Sequence, residues 1–437
     1  MTRGEGERQR AGGREAIRVL LVNQPTDGGV AFHVATLAQR LPEHGVDTTV
    51  ACPPGPYAQR LMSAGVAVVE VPMVREIAIG ADLGALHHLR SIAGEGRHDL
   101  IHTHSAKAGV LGRLVARSRH LPAVHTPHAW SFLAADGQRR SQVYHCIERA
   151  LARSTAAIIC VSEGERRRGL QVADAERLAV VTNGIALPAA IPLPPRGEGE
   201  RQRAGGRGAE GEGERKRAGG RGAEGEGERQ RAGGRGEEGE GAVVGTVARL
   251  APQKGIAHLL EAFAQVHQIR SDVRLAIAGD GPLRTELERL AEQLEIAHAV
   301  TFTGDVASPW PFLAGLDVFV LPSLWEGLPY ALLEAMAVGL PTVATAVDGV
   351  AEAIPDRRFG TVVEPADSAW MAREILALLE DPGVRAEVGQ MARAHVRDVF
   401  SVDAMVRDTV EIYRRVLRGS RAAGVWGPAT LTMAGSQ

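Results

Sequence analysis

The chain has 437 residues, 23% of them charged, and a formal net charge of -2. That length builds two ordinary domains with large cores, and the near-neutral balance offers no global field for nucleic acid or an anionic membrane. Three cysteines, Cys52, Cys146 and Cys160, are odd in number and lack CxxC spacing, which argues against a disulfide framework or a zinc knuckle and for a reducing, cytoplasmic compartment.

Residues 1–15, MTRGEGERQRAGGRE, form a charged, glycine-rich leader without an apolar h-region, so they do not read as a secretory signal. No apolar run approaches the roughly 20 residues that span a bilayer; any membrane contact is peripheral, at the inner face of the cell membrane. Residues 16–190 then alternate strand and helix patterns. IRVLLVN is a short apolar run ending in a loop, and GGVAFHVATLAQRLPEHG has helical periodicity. Further strands are expected at VDTTVAC, VAVVEVP, DLIHTH, PAVHTPH, AAIICVS and LAVVTNG.

Residues 191–241 are foreign to their surroundings. The unit GEGERQRAGGRGAE recurs there with a period of 14, and acidic and basic residues are equal in number over Arg196–Gly241. Alanine supplies its only apolar side chains, so the segment is expected to be a disordered or loosely helical insert at an interdomain linker. From residue 242 to 400 the alternation resumes with AVVGTVARL, VRLAIAG, VTFTG, DVFVLPS, PTVATAV and TVVEP, interleaved with helical stretches. Residues 401–418 read as a helix that packs back toward the first domain, and 419–437 as a tail. Strands rich in Val and Ile, alternating with helices, indicate an α/β protein with two parallel, doubly wound, Rossmann-like sheets. Ligands then sit at the C-terminal strand ends, facing a cleft between the domains.

The chemistry concentrates in LWEGLPYALLEAMAVGLP, where Glu326 and Glu334 stand in an almost wholly apolar run. Buried carboxylates are costly unless something satisfies them. A helix beginning near Pro329 puts Glu334 in its second turn and Glu326 in the loop before it. Backbone N–H groups and the helix dipole make such a place ready for an anion. A ligand with phosphates for the amides and hydroxyls for the carboxylates satisfies both, and a nucleotide sugar is such a ligand. The plainer reading makes Glu334 a helix residue reaching solvent, and Arg249 and Lys254 ordinary surface charges.

Glu-x7-Glu in EGLPYALLEAMA, followed by GLPTVAT, resembles the donor-site signature of the retaining glycosyltransferases of family 4, which have the GT-B fold. VARLAPQKG resembles the family's Arg-x4-Lys-Gly, IAGDGPL its Gly-Asp/Glu-Gly-Pro loop, and LPSLWEG its Pro-Ser-x-x-Glu-Gly. GGVAFHV, VSEGER and VVTNGI match the family in the first half. The resemblance covers residues 17–190 and 242–417. It implies transfer of a sugar from a nucleotide sugar, with UDP the favoured nucleotide, to a hydroxyl acceptor, lipid-linked or polysaccharide. It assigns Arg249 and Lys254 to the diphosphate, so no metal or other cofactor is expected; no Asp-x-Asp closes a strand. It assigns Glu334 to the ribose and Glu326 to the transferred sugar with the amides of Gly327 and Leu328. Gly28 and Gly29 would approach the diphosphate across the cleft, and Gly279 and Gly281 would lie near the base. His128 would face the sugar, and His104 would line the acceptor side.

His102, His104, His125 and His128 have HxH and HxxH spacings, but no carboxylate or cysteine accompanies them in sequence, so no metal site is expected. Trp130, Trp310 and Trp325 are equally suited to stacking on a ligand and to core packing. VDGV at 347–350 departs from the family, where a second glycine is common. Retention by same-face attack and by double displacement both remain open. The rival readings are a GT-B epimerase or phosphorylase, and a non-catalytic nucleotide-sugar-binding protein in polysaccharide assembly. A dinucleotide oxidoreductase is disfavoured because QPTDGGV replaces GxGxxG. Nothing in the sequence fixes the oligomeric state.

Overall fold

The computed structural model of the chain describes residues 16–95, 98–133, 137–187 and 241–422. The leader, the repeat unit through residue 240 and the tail beyond 422 lie outside the described residues.

The first unit carries strands β1 (Ile17–Asn23), β2 (Val46–Cys52), β3 (Ala67–Glu70), β4 (Leu100–His104), β5 (Ala123–Thr126), β6 (Ala157–Cys160) and β7 (Leu178–Val180). They form one sheet in the order β3-β2-β1-β4-β5-β6-β7, and every pairing is parallel. The second carries β8 (Val243–Val247), β9 (Arg274–Ala278), β10 (Val300–Gly304), β11 (Val318–Leu321), β12 (Thr342–Thr345) and β13 (Thr361–Val363). Its order is β10-β9-β8-β11-β12-β13, again parallel throughout. Continuous Val, Ile and Leu in the central strands fit sheets covered on both faces. The two faces of β1 accordingly enter different cores: Val19 and Leu21 join one cluster, Leu20 and Val22 the other. This is the two-sheet GT-B architecture. In each sheet the strand order reverses beside the first strand, between β1 and β4 and between β8 and β11, where ligands of open α/β sheets bind.

The helix expected over GGVAFHVATLAQRLPEHG is shorter. It runs Gly28–Arg40 and tightens into a 3₁₀ turn, Leu41–His44, closed by Gly45 at φ 75°. Pro42 explains the break, since it cannot supply an interior N–H. The LAVVTNG strand likewise ends at Val180.

The chain passes between the units twice, side by side. The Ile185 N–H donates to the Phe400 carbonyl at 2.9 Å, and Gly184 lies so near Val402 that a Cβ there would meet its Cα at 2.5 Å. The helix Val402–Ala422 then buries Met405, Val406, Val410, Tyr413 and Val416 in the core of the first unit. Its Tyr413 hydroxyl reaches His102 Nδ1 at 2.7 Å. Among the described residues no helix is long and apolar enough to cross a membrane.

Candidate functional site

On the second unit, three strand ends supply the site. Beyond β8, Arg249 is half-buried and makes no side-chain hydrogen bond or ion pair among the described residues. Its loop packs backbone against backbone on the loop after β9. A Cβ on Gly279 would stand 2.0 Å from the Ala248 carbonyl, and one on Gly281 would stand 2.5 Å from the Leu250 carbonyl. Those glycines are therefore required by packing beneath Arg249. Gly255 does the same for Lys254. At φ 59°, with its missing Cβ 2.1 Å from the Pro322 carbonyl, it brings the lysine to the end of β11.

There the two glutamates have different surroundings. Glu326 is 7% exposed and is satisfied by protein. Lys254 Nζ donates to Oε1 at 2.5 Å, Ser323 Oγ donates to the same oxygen at 2.8 Å, and Gln253 Nε2 reaches Oε2 at 3.3 Å. Sequence reasoning assigns Lys254 and Glu326 separate partners and does not foresee this pair. The Glu334 carboxylate, on the helix Tyr330–Ala337, has no hydrogen-bond partner among the described residues, and burial pushes it up to about 7. Between them, the Gly327 and Leu328 N–H groups bond to nothing among the described residues. Gly349, at φ 79°, wraps this loop from outside; a Cβ on it would stand 2.2 Å from the Gly327 carbonyl. The neighbouring Asp348 pairs across the cleft with Arg168.

On the first unit the site stands at the ends of β1, β4 and β5. His104 closes β4 and is fully buried; its Nδ1 lies 3.1 Å from His128 Nε2. His128 follows β5 in a left-handed backbone, φ 54°, and Ala129 is left-handed too, φ 76°. His33, which sequence reasoning missed, completes the group. Its Nδ1 lies 3.0 Å from Asn183 Oδ1 and 3.1 Å from the Tyr330 hydroxyl. Burial, reinforced by their neighbours, holds His104 and His128 well below the usual histidine range, and burial lowers His33 to about 4. All three rings are neutral at pH 7. Gly28 and Gly29 open the helix that carries His33. Gly29 packs on Tyr330 of the second unit, whose Cδ2 would be 3.0 Å from a Cβ, while a Cβ on Gly28 would meet nothing within 4 Å.

His33, His104 and His128 each offer a ring nitrogen within 4.8 Å of the others. Metal-bound histidines ordinarily donate their other ring N–H to a carboxylate or carbonyl. Among the described residues His104 Nε2 is buried without a hydrogen-bond partner and no carboxylate joins the set, so the donors fit a metal poorly. His102 is a core residue, bonded at both nitrogens to Tyr413 and Thr126. His125 bonds Thr103 through Nδ1. Trp130 is core as well, with its indole N–H donating to the Glu165 carbonyl at 2.9 Å. Tyr330, Asn183 and Glu165 also line the cleft; they lie within EGLPYALLEAMA, VVTNGI and VSEGER, but the sequence reading gave none of the three a role.

Comparison with known proteins gives the same architecture. The model for glycosyltransferase family 4 matches residues 27–187, and that for glycosyl transferases group 1 matches 230–395. A D-inositol 3-phosphate glycosyltransferase of Acidothermus cellulolyticus is 30% identical over 434 residues, covering 91% of this chain and 87% of that one. The UDP-Gal:alpha-D-GlcNAc-diphosphoundecaprenol alpha-1,3-galactosyltransferase of Escherichia coli is 26% identical, covering 78% and 82%. Among solved structures, Anabaena Alr3699/HepE in complex with UDP and glucose superimposes with a TM-score of 0.72 at 21% identity, covering 91% of this chain and 99% of that one.

Proposed function

This chain belongs to the glycosyltransferases of group 1 and family 4, a GT-B transferase of class EC 2.4, and on that premise we propose that it moves a sugar, with retention, from a UDP-sugar to a hydroxyl of a lipid-linked or polysaccharide acceptor. The observation that carries this reading is the donor-side constellation. An unpaired Arg249, the Lys254–Glu326 pair, two unbonded amides and a partnerless Glu334 converge, among the described residues, at the C-terminal ends of β8 and β11. Arg249 and Lys254 take the diphosphate, whose charge grows as it leaves, so the chemistry needs no metal. Glu334 accepts from the ribose hydroxyls. Glu326 and the Gly327 and Leu328 amides hold the sugar, with Gly28, Gly29, Gly279 and Gly281 shaping the walls. Nucleotide and glucose in a solved structure of the same fold support the UDP assignment, and the galactosyltransferase relative supports a lipid-linked acceptor.

In the step itself the bond from the anomeric carbon to the diphosphate oxygen breaks, and the acceptor oxygen bonds the same face. The acceptor proton goes to the departing phosphate oxygen. Glu326 is held by Lys254 and Ser323, which favours this route over one that uses it as a nucleophile. An oxocarbenium-like centre is positive, and the neutral His128 beside the sugar does not oppose it. His104 supports His128 from the acceptor side. The protein would work in the cytoplasm, its membrane contact peripheral.

The test is nucleoside diphosphate release from UDP-glucose, UDP-galactose, UDP-N-acetylglucosamine, GDP-mannose and ADP-glucose, without added metal and with a cell-extract acceptor fraction. One donor turned over only with acceptor, with the α-configuration kept in the product, is the expected result. Donor binding with no release under any acceptor points instead to a binding protein in polysaccharide assembly. Release or isomerisation that needs no acceptor points to an epimerase.

A further inference from the structure

Ser162-Glu163-Gly164-Glu165 has the S-x-x-E form of a capping box. Half of it is built as usual: Ser162 Oγ accepts from the Glu165 N–H at 3.0 Å at the start of the helix Glu163–Gly169. The other half is diverted. The Glu165 carboxylate passes over the Ser162 amide. Its Oε2 accepts from the Val161 N–H at 2.7 Å, and its Oε1 accepts from the Ala129 N–H at 2.6 Å, 36 residues away. The carboxylate is fully buried and, among the described residues, has no cation partner.

The amide it captures lies in the strained part of the cleft. His128 and Ala129 are consecutive non-glycine residues with left-handed φ. That conformation is unfavourable for any residue with a Cβ and persists only where the surroundings over-determine it. Trp130, next in sequence, is pinned by its own bond to the Glu165 carbonyl. The opposite wall rests on the same group. A Cβ on Gly327 would stand 2.9 Å from Val161 Cγ2, 3.1 Å from the Ala129 nitrogen and 3.4 Å from Glu165 Oε1. An ordinary cap requires none of this.

We propose that Glu165 is a positioning residue for sugar transfer: its carboxylate holds the His128–Ala129 backbone in the left-handed form and seats Gly327 against it, so one buried side chain fixes the sugar-facing loops of both units. The assignment rests on the reading of His128 and Gly327 given above. Glutamine at 165 keeps the length but leaves one oxygen for two amides, so one N–H loses its acceptor.

The experiment uses full-length protein and the donor that the wild type turns over. Glu165→Gln is expected to lower kcat about 100-fold, the cost of a displacement near 1 Å, with donor KM within about threefold because the diphosphate contacts are untouched. Ala129→Gly removes the left-handed penalty at the captured residue, and added to Glu165→Gln it is expected to restore about tenfold of the lost turnover. Ala129→Val approaches the same loop with Glu165 intact, and serves if Glu165→Gln does not fold. It should lower kcat and spare donor KM. Glu165→Gln with wild-type turnover, or Ala129→Val with wild-type turnover, overturns the proposal. So does a loss in Glu165→Gln that Ala129→Gly leaves unchanged. A wild type that turns over no nucleotide sugar overturns the transfer reading itself, which is a separate result.

Discussion

The two walls of the cleft handle polarity in opposite ways. The second unit carries charged side chains: Glu326 is surrounded by Lys254, Ser323 and Gln253, while Arg249 stands without a side-chain partner among the described residues. The first unit keeps neutral rings, with burial holding His33, His104 and His128 uncharged and one nitrogen of His104 without a hydrogen-bond partner among the described residues. A wall of charge suits a ligand that arrives as an anion and leaves as a stronger one. A neutral wall suits a hydroxyl acceptor and a centre that becomes positive. On the proposed reading the difference divides the reaction: stabilisation of the leaving group on one side, orientation on the other.

Removing charge from the donor wall should break the comparison most severely. Lys254→Ala is expected to lower turnover by about 10³-fold, the size of a lost transition-state donor. It also strips Glu326 of its cation. If the pair acts as a unit, Lys254→Ala with Glu326→Gln should be little worse than either alone, because effects within one network are not additive. Diphosphate release from the four proteins measures this directly. Independent, multiplying losses would mean that the pair seen without ligand is dissolved once the donor binds.

The neutral wall should yield less. His128→Ala is expected to cost about 100-fold in turnover, and His104→Ala about tenfold, with the second loss mostly in acceptor KM. Initial rates against acceptor concentration separate them. Equal losses in kcat for both would place His104 on the reacting centre rather than behind it.

Glu334 sharpens the contrast through pH. Its folded carboxyl is raised from 4.5 to about 7, so the folded state prefers it protonated. The resulting stability is complete below pH 4.5 and is lost as pH rises through about 7; at pH 8 burying the charge is a cost. Glu334→Gln should therefore melt higher than wild type at about pH 8 and match it at about pH 4.5. With Glu334 on the ribose, as proposed, donor binding has the opposite sign, since ribose hydroxyls are best accepted by the carboxylate. Donor affinity of the wild type should rise about tenfold from about pH 6 to about pH 8 and stay flat in the glutamine variant. Glu165, raised to about 7 by burial with Asp348 adding to the shift, titrates in the same range. A flat profile in Glu334→Gln is what assigns the change to Glu334.

The same contrast governs what was legible in the sequence. Part of the proposed donor wall is contiguous: a strand, a glycine loop and one helix start supply Glu326, Gly327, Leu328 and Glu334 within one short run, so residue type and spacing single out that run. The alternating βα pattern reveals both sheets, because parallel strands covered on two faces leave long apolar runs. The histidine wall is assembled from the ends of β1, β4 and β5 and from the hinge at Asn183, and no spacing joins His33 to His104. Its decisive feature is backbone φ at His128 and Ala129, held by a glutamate 36 residues away from Ala129. Single-sequence patterns do not encode that. Nor does the sequence say that Lys254 and Glu326 meet, because the contact depends on Gly255 fitting beneath the Pro322 carbonyl.

The smallest effect should come from the most conspicuous stretch of sequence. Deleting Arg196–Gly241 removes the repeat but leaves eight residues after Leu187 to connect the units. Loop closure changes only with the logarithm of length, about 0.6 kcal/mol per doubling. The units are also fastened without it. Asn183 Nδ2 donates to the Leu328 carbonyl at 2.7 Å, the Ile185 N–H donates to Phe400, and the helix Val402–Ala422 returns to the first core. Glu352 accepts from the Glu163 N–H at 2.6 Å across the cleft. These ties do not involve the deleted segment and should keep the protein soluble, with turnover changed less than about tenfold. If the shortened chain is insoluble, the repeat has a structural role that the two crossings do not supply. If it is soluble but its donor KM rises sharply, the repeat sets how far the cleft opens, and the two walls meet less often than these contacts imply.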